Sequence, residues 1–352
     1  MSQTFVGEFF GRGARIAKCE ARAYREYVSD EQRSEAGCPA QENDNERVRH
    51  DTGYDVENQP HISDAAVPSF ASSGHIDVSG LSHPGKVRAR NEDHFIVMRI
   101  GRYLESVLTS LPSGQVPERT EEVGYAMIVA DGMGGHSGGE LASRLAITGL
   151  LKLVLAMPDW IFHVDDEAVA EDATRRSRRR FRLLNSLLIE RGRQDPAFRG
   201  MGTTLTAARN LGRNLQIVHV GDSRVYLFRE GRVHRLTRDH TYVQLLVDTG
   251  QLSQKEAAAF GARHLLVNAL GGSDEEVEVD VDQLELASGD RLLLCSDGLT
   301  DLVDDDDIRQ VLSESLESAA ACRRLMDIAL ERGGRDNVTV VIASYTFPTA
   351  ST

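Results

Sequence analysis

Acidic residues stand at the ends of apolar, strand-like runs throughout this 352-residue chain. The run 123–130 leads into Asp131-Gly132, the run 215–220 into Gly221-Asp222, and the run 290–296 into Asp297-Gly298. Two more runs, 94–100 and 337–345, begin just after Glu92-Asp93 and Asp336. A carboxylate in such a place is held by a rigid element and still reaches solvent. An isolated Asp-Gly is an ordinary turn residue or helix cap. If the strand ends converge, these acidic groups share a small volume. Repulsion and desolvation then raise one another's pKa unless a cation neutralises them. Ligands that are all oxygen, with no His or Cys, select Mg²⁺ or Mn²⁺. On this pattern alone, turn residues and a hard-metal site both remain open.

The rest of the pattern bounds the fold. Residues 75–81 alternate as a strand, 94–100 form a second, and 101–122 read as an irregular connection containing Pro112, Gly114 and Pro117. The next strand runs into a turn at Asp131-Gly132. Leu141, Leu145, Leu150 and Val154 recur at helical spacing, which predicts a helix over 137–157. A second helix over 165–193 is stopped by Asp195-Pro196. Strands follow at 203–210, 215–220, 224–229 and 232–237, the last two flanking the hairpin signal Glu230-Gly231. Short helices at 240–249 and 253–260, strands at 276–286 and 290–296, helices at 305–315 and 318–332, and a strand at 337–345 complete the order. This is not the strict βαβ alternation of a parallel sheet. It predicts an α+β chain of mainly antiparallel sheets with helices outside. Residues 1–74 read as an extension outside that fold; 29–60 are too polar to bury a core and are expected to be disordered.

A formal net charge of −14 argues against nucleic acid or an anionic membrane as the main partner. The basic run Arg175-Arg176-Ser177-Arg178-Arg179-Arg180 reads either as a solvated helix face or as a docking site for an acidic partner. Cys19, Cys38, Cys295 and Cys322 form no Cys-x-x-Cys pair, so neither a zinc site nor a thioredoxin-like pair is indicated. With no run of eighteen apolar residues and no hydrophobic signal core, a cytoplasmic, monomeric protein without a membrane partner is expected.

The ordered set Arg88-x-x-Asn91-Glu92-Asp93, Asp131-Gly132-Met133-Gly134-Gly135, Gly202-Thr203-Thr204, Gly221-Asp222-Ser223-Arg224, Ser296-Asp297-Gly298 and Asp336-Asn337-Val338-Thr339 resembles the metal-dependent protein phosphatases of type 2C, the PPM family, in their bacterial form. The match runs in order from about residue 75 to 346. It implies a four-layer αββα sandwich, with two mainly antiparallel sheets between helix pairs and a dinuclear Mn²⁺ or Mg²⁺ site at one edge. The implied catalytic domain is 75–346, with a flap subdomain at about 239–263 and a tail at 347–352.

By the same resemblance, Asp131 bridges both metals and Gly132 lends its carbonyl oxygen to the second, while Asp297 and Asp336 complete the first. Glu92 matches an acidic ligand of the second metal and Asp93 its supporting neighbour. Asp222 matches the ligand of a third, weaker ion, and Arg88 the arginine that holds the substrate phosphate. The implied activity is hydrolysis of phosphoserine and phosphothreonine in the protein substrates of a Ser/Thr kinase. A metal-bridging water attacks phosphorus in line, without a phosphoenzyme. Met133 stands where animal-type members carry a His proposed as general acid, and it cannot donate a proton. His136 is a candidate acid or a structural residue, and a water on the third ion is the other candidate. His83 and His94 suit core or rim roles. A non-catalytic module that binds phosphoproteins is a second reading. A metal nuclease conflicts with the net charge.

Overall fold

The computed structural model describes residues 74–348, apart from 113–114, 117, 135–137, 157–166, 259, 261–263, 273–275 and 315–316. The expected extension lies outside the described residues except for Gly74. His136 lies outside them too. The sheets belong to the larger of two compact units, which is made up of Phe70–Val154 together with Asp159–Thr352.

Strands β1 (His75–His83), β2 (Asp93–Glu105) and β3 (Arg119–Met133) lead into helices α1 (Gly138–Ala156) and α2 (Glu167–Gln194). Five strands follow: β4 (Gly202–Thr203), β5 (Leu205–Leu211), β6 (Asn214–Val220), β7 (Arg224–Arg229) and β8 (Arg232–Arg235). The short helices α3 (Tyr242–Asp248) and α4 (Gln254–Ala258) precede β9 (Leu270–Gly271), β10 (Asp280–Glu285) and β11 (Arg291–Cys295). Helices α5 (Asp297–Thr300), α6 (Asp305–Ser313) and α7 (Ser318–Glu331) come before β12 (Val338–Thr346). The first sheet has the order β1-β12-β11-β7-β8. The second has the order β10-β6-β5-β3-β4-β9, with β2 also on β3, and every pairing is antiparallel.

Period-two alternation builds two core layers from the same strands. Val225 and Leu227 of β7, Leu292 and Leu294 of β11, and Val341, Ala343 and Tyr345 of β12 point between the sheets. There they meet Met127, Val129, Ala208, Leu215 and Ile217 of the second sheet. Their neighbours Tyr226, Leu293, Cys295, Val338, Val340 and Ile342 point the other way. They pack on Ile308, Val311 and Leu312 of α6 and on Cys322, Leu325 and Met326 of α7. Helix α2 lies against β9 and β10, where Arg178 donates to the Val279 carbonyl at 3.2 Å and Gln283 to Thr174 at 3.3 Å. The layers therefore run helix, sheet, sheet, helix, as expected. The basic run is on α2 but is not a plain solvated face, since Arg180 is buried and Arg178 is tied to the chain beside β10. Among the described residues no helix is long and apolar enough to cross a membrane.

Three expectations shift. The connection 101–122 is largely strand: β2 and β3 stay in register from Asp93↔Asp131 to Glu105↔Arg119. Tyr103 is exposed on this arm, and Val107 and Leu108 are exposed just past β2. With little buried, the arm carries no alternation to read. Second, the strand does not turn at Asp131-Gly132. Pairing continues through Gly132↔Thr203 and Met133↔Gly202, and the chain leaves the extended path at Gly134, whose φ is 138°. Third, Phe347 is no tail residue; it is buried and stacked on Tyr345 with ring centroids 6.1 Å apart.

The β7–β8 hairpin closes through Glu230 (φ 52°) and Gly231 (φ 76°) between the pair Arg229↔Arg232. Positive φ at both loop positions is the type I′ requirement, which favours Asn-Gly. A glutamate there carries a steric penalty that Asn largely avoids. Glu230→Asn is expected to stabilise the protein by roughly 0.5–1 kcal/mol, seen as a higher denaturant midpoint at unchanged slope. A lower midpoint would contradict this reading of the turn.

Candidate metal centre

Threonine hydroxyls fix the backbone around Asp131. The Thr203 hydroxyl donates to the Asp131 carbonyl at 2.8 Å, and the Asp131 amide donates to Thr204 Oγ1 at 3.0 Å. Thr204 Oγ1 also meets Ser223 Oγ at 2.8 Å, which ties the Asp131 strand to the residue after Asp222. Gly221 holds φ at 112°, and a Cβ there would sit 2.5 Å from Thr204. Arg224 grips Asp239 through both ends of its guanidinium, Nε to Oδ1 at 3.0 Å and Nη2 to Oδ2 at 2.7 Å. The Gly-Thr-Thr and Gly-Asp-Ser-Arg motifs thus work as a buckle on two acidic positions.

A second buckle holds the loop that carries Arg88 and Glu92. The Asn337 side chain accepts from the Glu92 amide at 2.8 Å and donates to the carbonyls of Arg90 at 2.8 Å and Pro84 at 3.0 Å. Gly298 lies so close to this residue that a Cβ would sit 1.9 Å from the Asn337 carbonyl oxygen. Any side chain at Gly298 would push apart the two segments bearing Asp297 and Asp336. His83 accepts from the Gly85 amide at 2.9 Å, and His94 meets Ser143 Oγ at 2.9 Å, so both stabilise backbone around the site.

The result is one cleft lined by Arg88, Glu92, Asp131, Gly132, Asp222, Asp297 and Asp336, with Met133 also on its wall. Asp93 differs from the other predicted residues because it does not line the cleft. It is buried, and one carboxylate oxygen accepts from Ser296 and Thr339 hydroxyls, each at 2.7 Å. Its Oδ1 is buried without a hydrogen-bond partner. Arg88 is half exposed and bonds Asp336 Oδ2 through Nη2 at 2.6 Å. Two further groups, which the sequence did not single out, join the wall. His264 Nδ1 is 3.5 Å from Asp297 Oδ2, and its Nε2 is 3.4 Å from Asp301 Oδ2. Asp301 had a signal, standing four residues after Asp297 and so on the same helical face. His264 had none, since it belongs to an irregular segment.

Electrostatics of the cleft favour a cation. Burial, then the nearby Asp93, Asp297, Asp222 and Asp336, push the Asp131 carboxyl well above the ordinary range. Burial, then Asp297 and Asp239, do the same to Asp222. Burial pushes Asp93 up to about 7 against the pull of its two hydroxyl donors. Burial also raises Glu92, opposed by Arg88. Repelling carboxylates and an all-oxygen donor set along the cleft fit hard divalent cations.

A family model described as protein phosphatase 2C matches residues 118–332. The serine/threonine protein phosphatase PstP of Mycobacterium tuberculosis is 42% identical over 234 residues, 65% of this chain and 43% of that protein. This chain thus spans under half of that relative's length. The protein phosphatase PhpP of Streptococcus pneumoniae is 32% identical over 271 residues, 76% of this chain and 97% of that protein. Among solved structures, the catalytic domain of PstP in complex with two manganese ions superposes with a TM-score of 0.59 at 36% identity, covering 77% of this chain and 98% of the other.

Without a cation the sign of the pH dependence follows from burial. Asp131, Asp222 and Asp93 hold protons more tightly folded than unfolded. Their contribution is therefore present at low pH and lost as pH rises through the raised values. For Asp93 that window runs from about 4 to about 7. The difference in unfolding temperature between metal-free wild type and Asp131→Asn is expected to shift in favour of the variant as pH rises. At neutral pH, Mn²⁺ at a hundredfold excess over its Kd should stabilise the wild type by about 2.7 kcal/mol and the variant far less. Equal shifts in both would remove Asp131 from the site.

Proposed function

The chain belongs to the protein phosphatase 2C family, and we propose that it is a metal-dependent phosphatase acting on phosphoserine and phosphothreonine in proteins. The convergence of Glu92, Asp131, Asp222, Asp297 and Asp336 on one cleft carries this reading. Asp131, the Gly132 carbonyl, Glu92, Asp297 and Asp336 would hold two divalent cations, Mn²⁺ or Mg²⁺, and Asp222 would help hold a third. When bound, such cations polarise the phosphoryl group and make water nucleophilic at neutral pH.

The remaining work falls to the chain's own groups. Arg88 stands on the cleft wall with its charge secured, since Asp336 and then Glu92 and Asp131 raise its pKa. Its planar fork suits a phosphate with two oxygens presented side by side. The bond to Asp336 aims that fork over the carboxylates. Asn337 holds the loop on which both Arg88 and Glu92 ride. Asp93 backs the cleft from within and fixes Ser296, the residue before Asp297. Met133 lines the cleft without a proton to give, so the leaving oxygen takes its proton from elsewhere.

Among the described residues, cysteine chemistry is disfavoured. Cys295 and Cys322 are buried free thiols, and burial pushes each up to about 12, far from a reactive thiolate. The full acidic set and the names of the relatives favour a catalyst over a non-catalytic phosphoprotein-binding module. A cytoplasmic setting, a monomeric state and a Ser/Thr kinase as the source of the substrates complete the proposal.

The purified chain with Mn²⁺ is expected to release phosphate from a phosphothreonine peptide and from an aryl phosphate, and chelation should abolish both. Asp131→Ala and Asp297→Ala should each lower kcat/KM at least ~100-fold. Arg88→Ala should act mainly through a higher KM for the peptide. No phosphate release with Mn²⁺ or Mg²⁺ from either substrate would sink the proposal.

A further inference from the structure

Three large apolar side chains that the fold leaves in solvent stand on the carboxylate-lined cleft. Val87 is 70% exposed, Leu265 57% and Val267 51%, and all three line it. Scattered singly, such residues need no explanation. Gathered around one cleft they form a surface that lacks an apolar partner.

Their placement says what that partner is. Val87 immediately precedes Arg88, so a phosphate gripped by Arg88 carries its neighbouring residues over Val87. Leu265 and Val267 come from a different segment, the strap 264–268. Leu266 bridges Thr241 in antiparallel fashion, and the chain bends just after it, at 267–268. Leu266 lines the cleft beside Leu265 and Val267. Leu266 is half-buried between its two exposed neighbours.

The strap is also a fixed wall. The Tyr242 amide donates to the Leu265 carbonyl at 2.8 Å, and the Val267 amide to the His240 carbonyl at 2.9 Å. Asn268 Nδ2 donates to the Glu278 carbonyl and to His240 Nδ1, both at 2.8 Å. His240 Nδ1 also accepts the Gly221 amide at 3.1 Å, so the proton sits on Nε2 and is donated to Asp280 Oδ2 at 3.1 Å. A preformed wall avoids the ordering entropy that a loose loop loses on binding.

The cleft measures about 1160 Å³, above the range of roughly 300–1,000 Å³ usual for sites of small ligands. There is room for a phosphorylated side chain with its flanking residues. Glu276 and Asp301 on the same wall oppose acidic flanks.

We propose that Val87, Leu265 and Val267 select protein substrates in which apolar side chains flank the phosphorylated serine or threonine. This rests on the phosphatase reading of the same cleft. The test uses the full chain with Mn²⁺ and two phosphothreonine peptides, identical except that the residues beside the phosphothreonine are Leu and Val in one and Ser and Gln in the other. Wild type is expected to favour the apolar peptide about tenfold in kcat/KM, the scale of one buried aliphatic group. In Val87→Ser and in Leu265→Ser with Val267→Ser, that ratio should fall toward one while turnover of p-nitrophenyl phosphate stays at the wild-type level. Equal rates on the two peptides, or a ratio that survives the substitutions, would overturn the preference while the aryl phosphate is still hydrolysed. If nothing is hydrolysed, the phosphatase reading fails and the preference falls with it.

Discussion

One oxygen of Asp93 accepts two hydroxyl protons, and that junction joins the two sheets at the end where the chemistry lies. Asp93 opens β2 of the second sheet, whereas Ser296 follows β11 and Thr339 lies in β12 of the first. Ser296 and Thr339 also bond each other through main chain and side chain, with the Thr339 amide on Ser296 Oγ at 2.9 Å and the Ser296 amide on the Thr339 carbonyl at 3.1 Å. The junction therefore sets how far Asp297 and Asp336 stand from Asp131. A buried carboxylate whose second oxygen has no partner is costly. Its presence here is understandable because it orders the acidic wall in front of it. The asymmetry is informative: the hydroxyls draw the carboxylate toward its charged form, but burial outweighs them and leaves Asp93 at about 7.

Most of the architecture was legible because the sheets bury at least one face of nearly every strand. The runs around Leu292, Leu293 and Leu294, and from Val338 to Tyr345, announce strands by composition, and Glu230-Gly231 announces its hairpin. The misses share a cause. The β2–β3 arm buries little and so shows no alternation. The two-residue strands β4 and β9 are too short for any periodicity. The site was legible as a set of positions, since Asp131, Asp222, Asp297 and Asp336 each stand at the end or the start of an apolar run. What could not be read was how they are held. Nothing in the spacing of Thr204 and Ser223 says that their hydroxyls meet, and nothing in Asn337 says that it gathers Pro84, Arg90 and Glu92. His264 was invisible for the same reason, since it reaches Asp297 only through the path of the strap.

The two walls of the cleft are built on different principles. The carboxylate wall is strained electrostatically, with like charges held together by hydroxyls and amides from the sheets. The strap wall brings Leu265 and Val267 to the cleft and is anchored by hydrogen bonds centred on His240. His219, 4.9 Å from His240 between ring centroids, donates to the Arg238 carbonyl, and burial pushes it down to about 4.

Strand order carries a consequence for how this molecule comes into being. β12 lies between β1 and β11, so the first and last of the described strands are neighbours in one sheet. The residues just before and within β12 supply Asp336, the Asn337 clasp on the Glu92 loop and the Thr339 bond to Asp93. A nascent or clipped chain lacking that strand has an open sheet, an untethered Arg88 loop and an incomplete set of acids. The topology thus completes the acidic cleft only in a chain that has laid down β12.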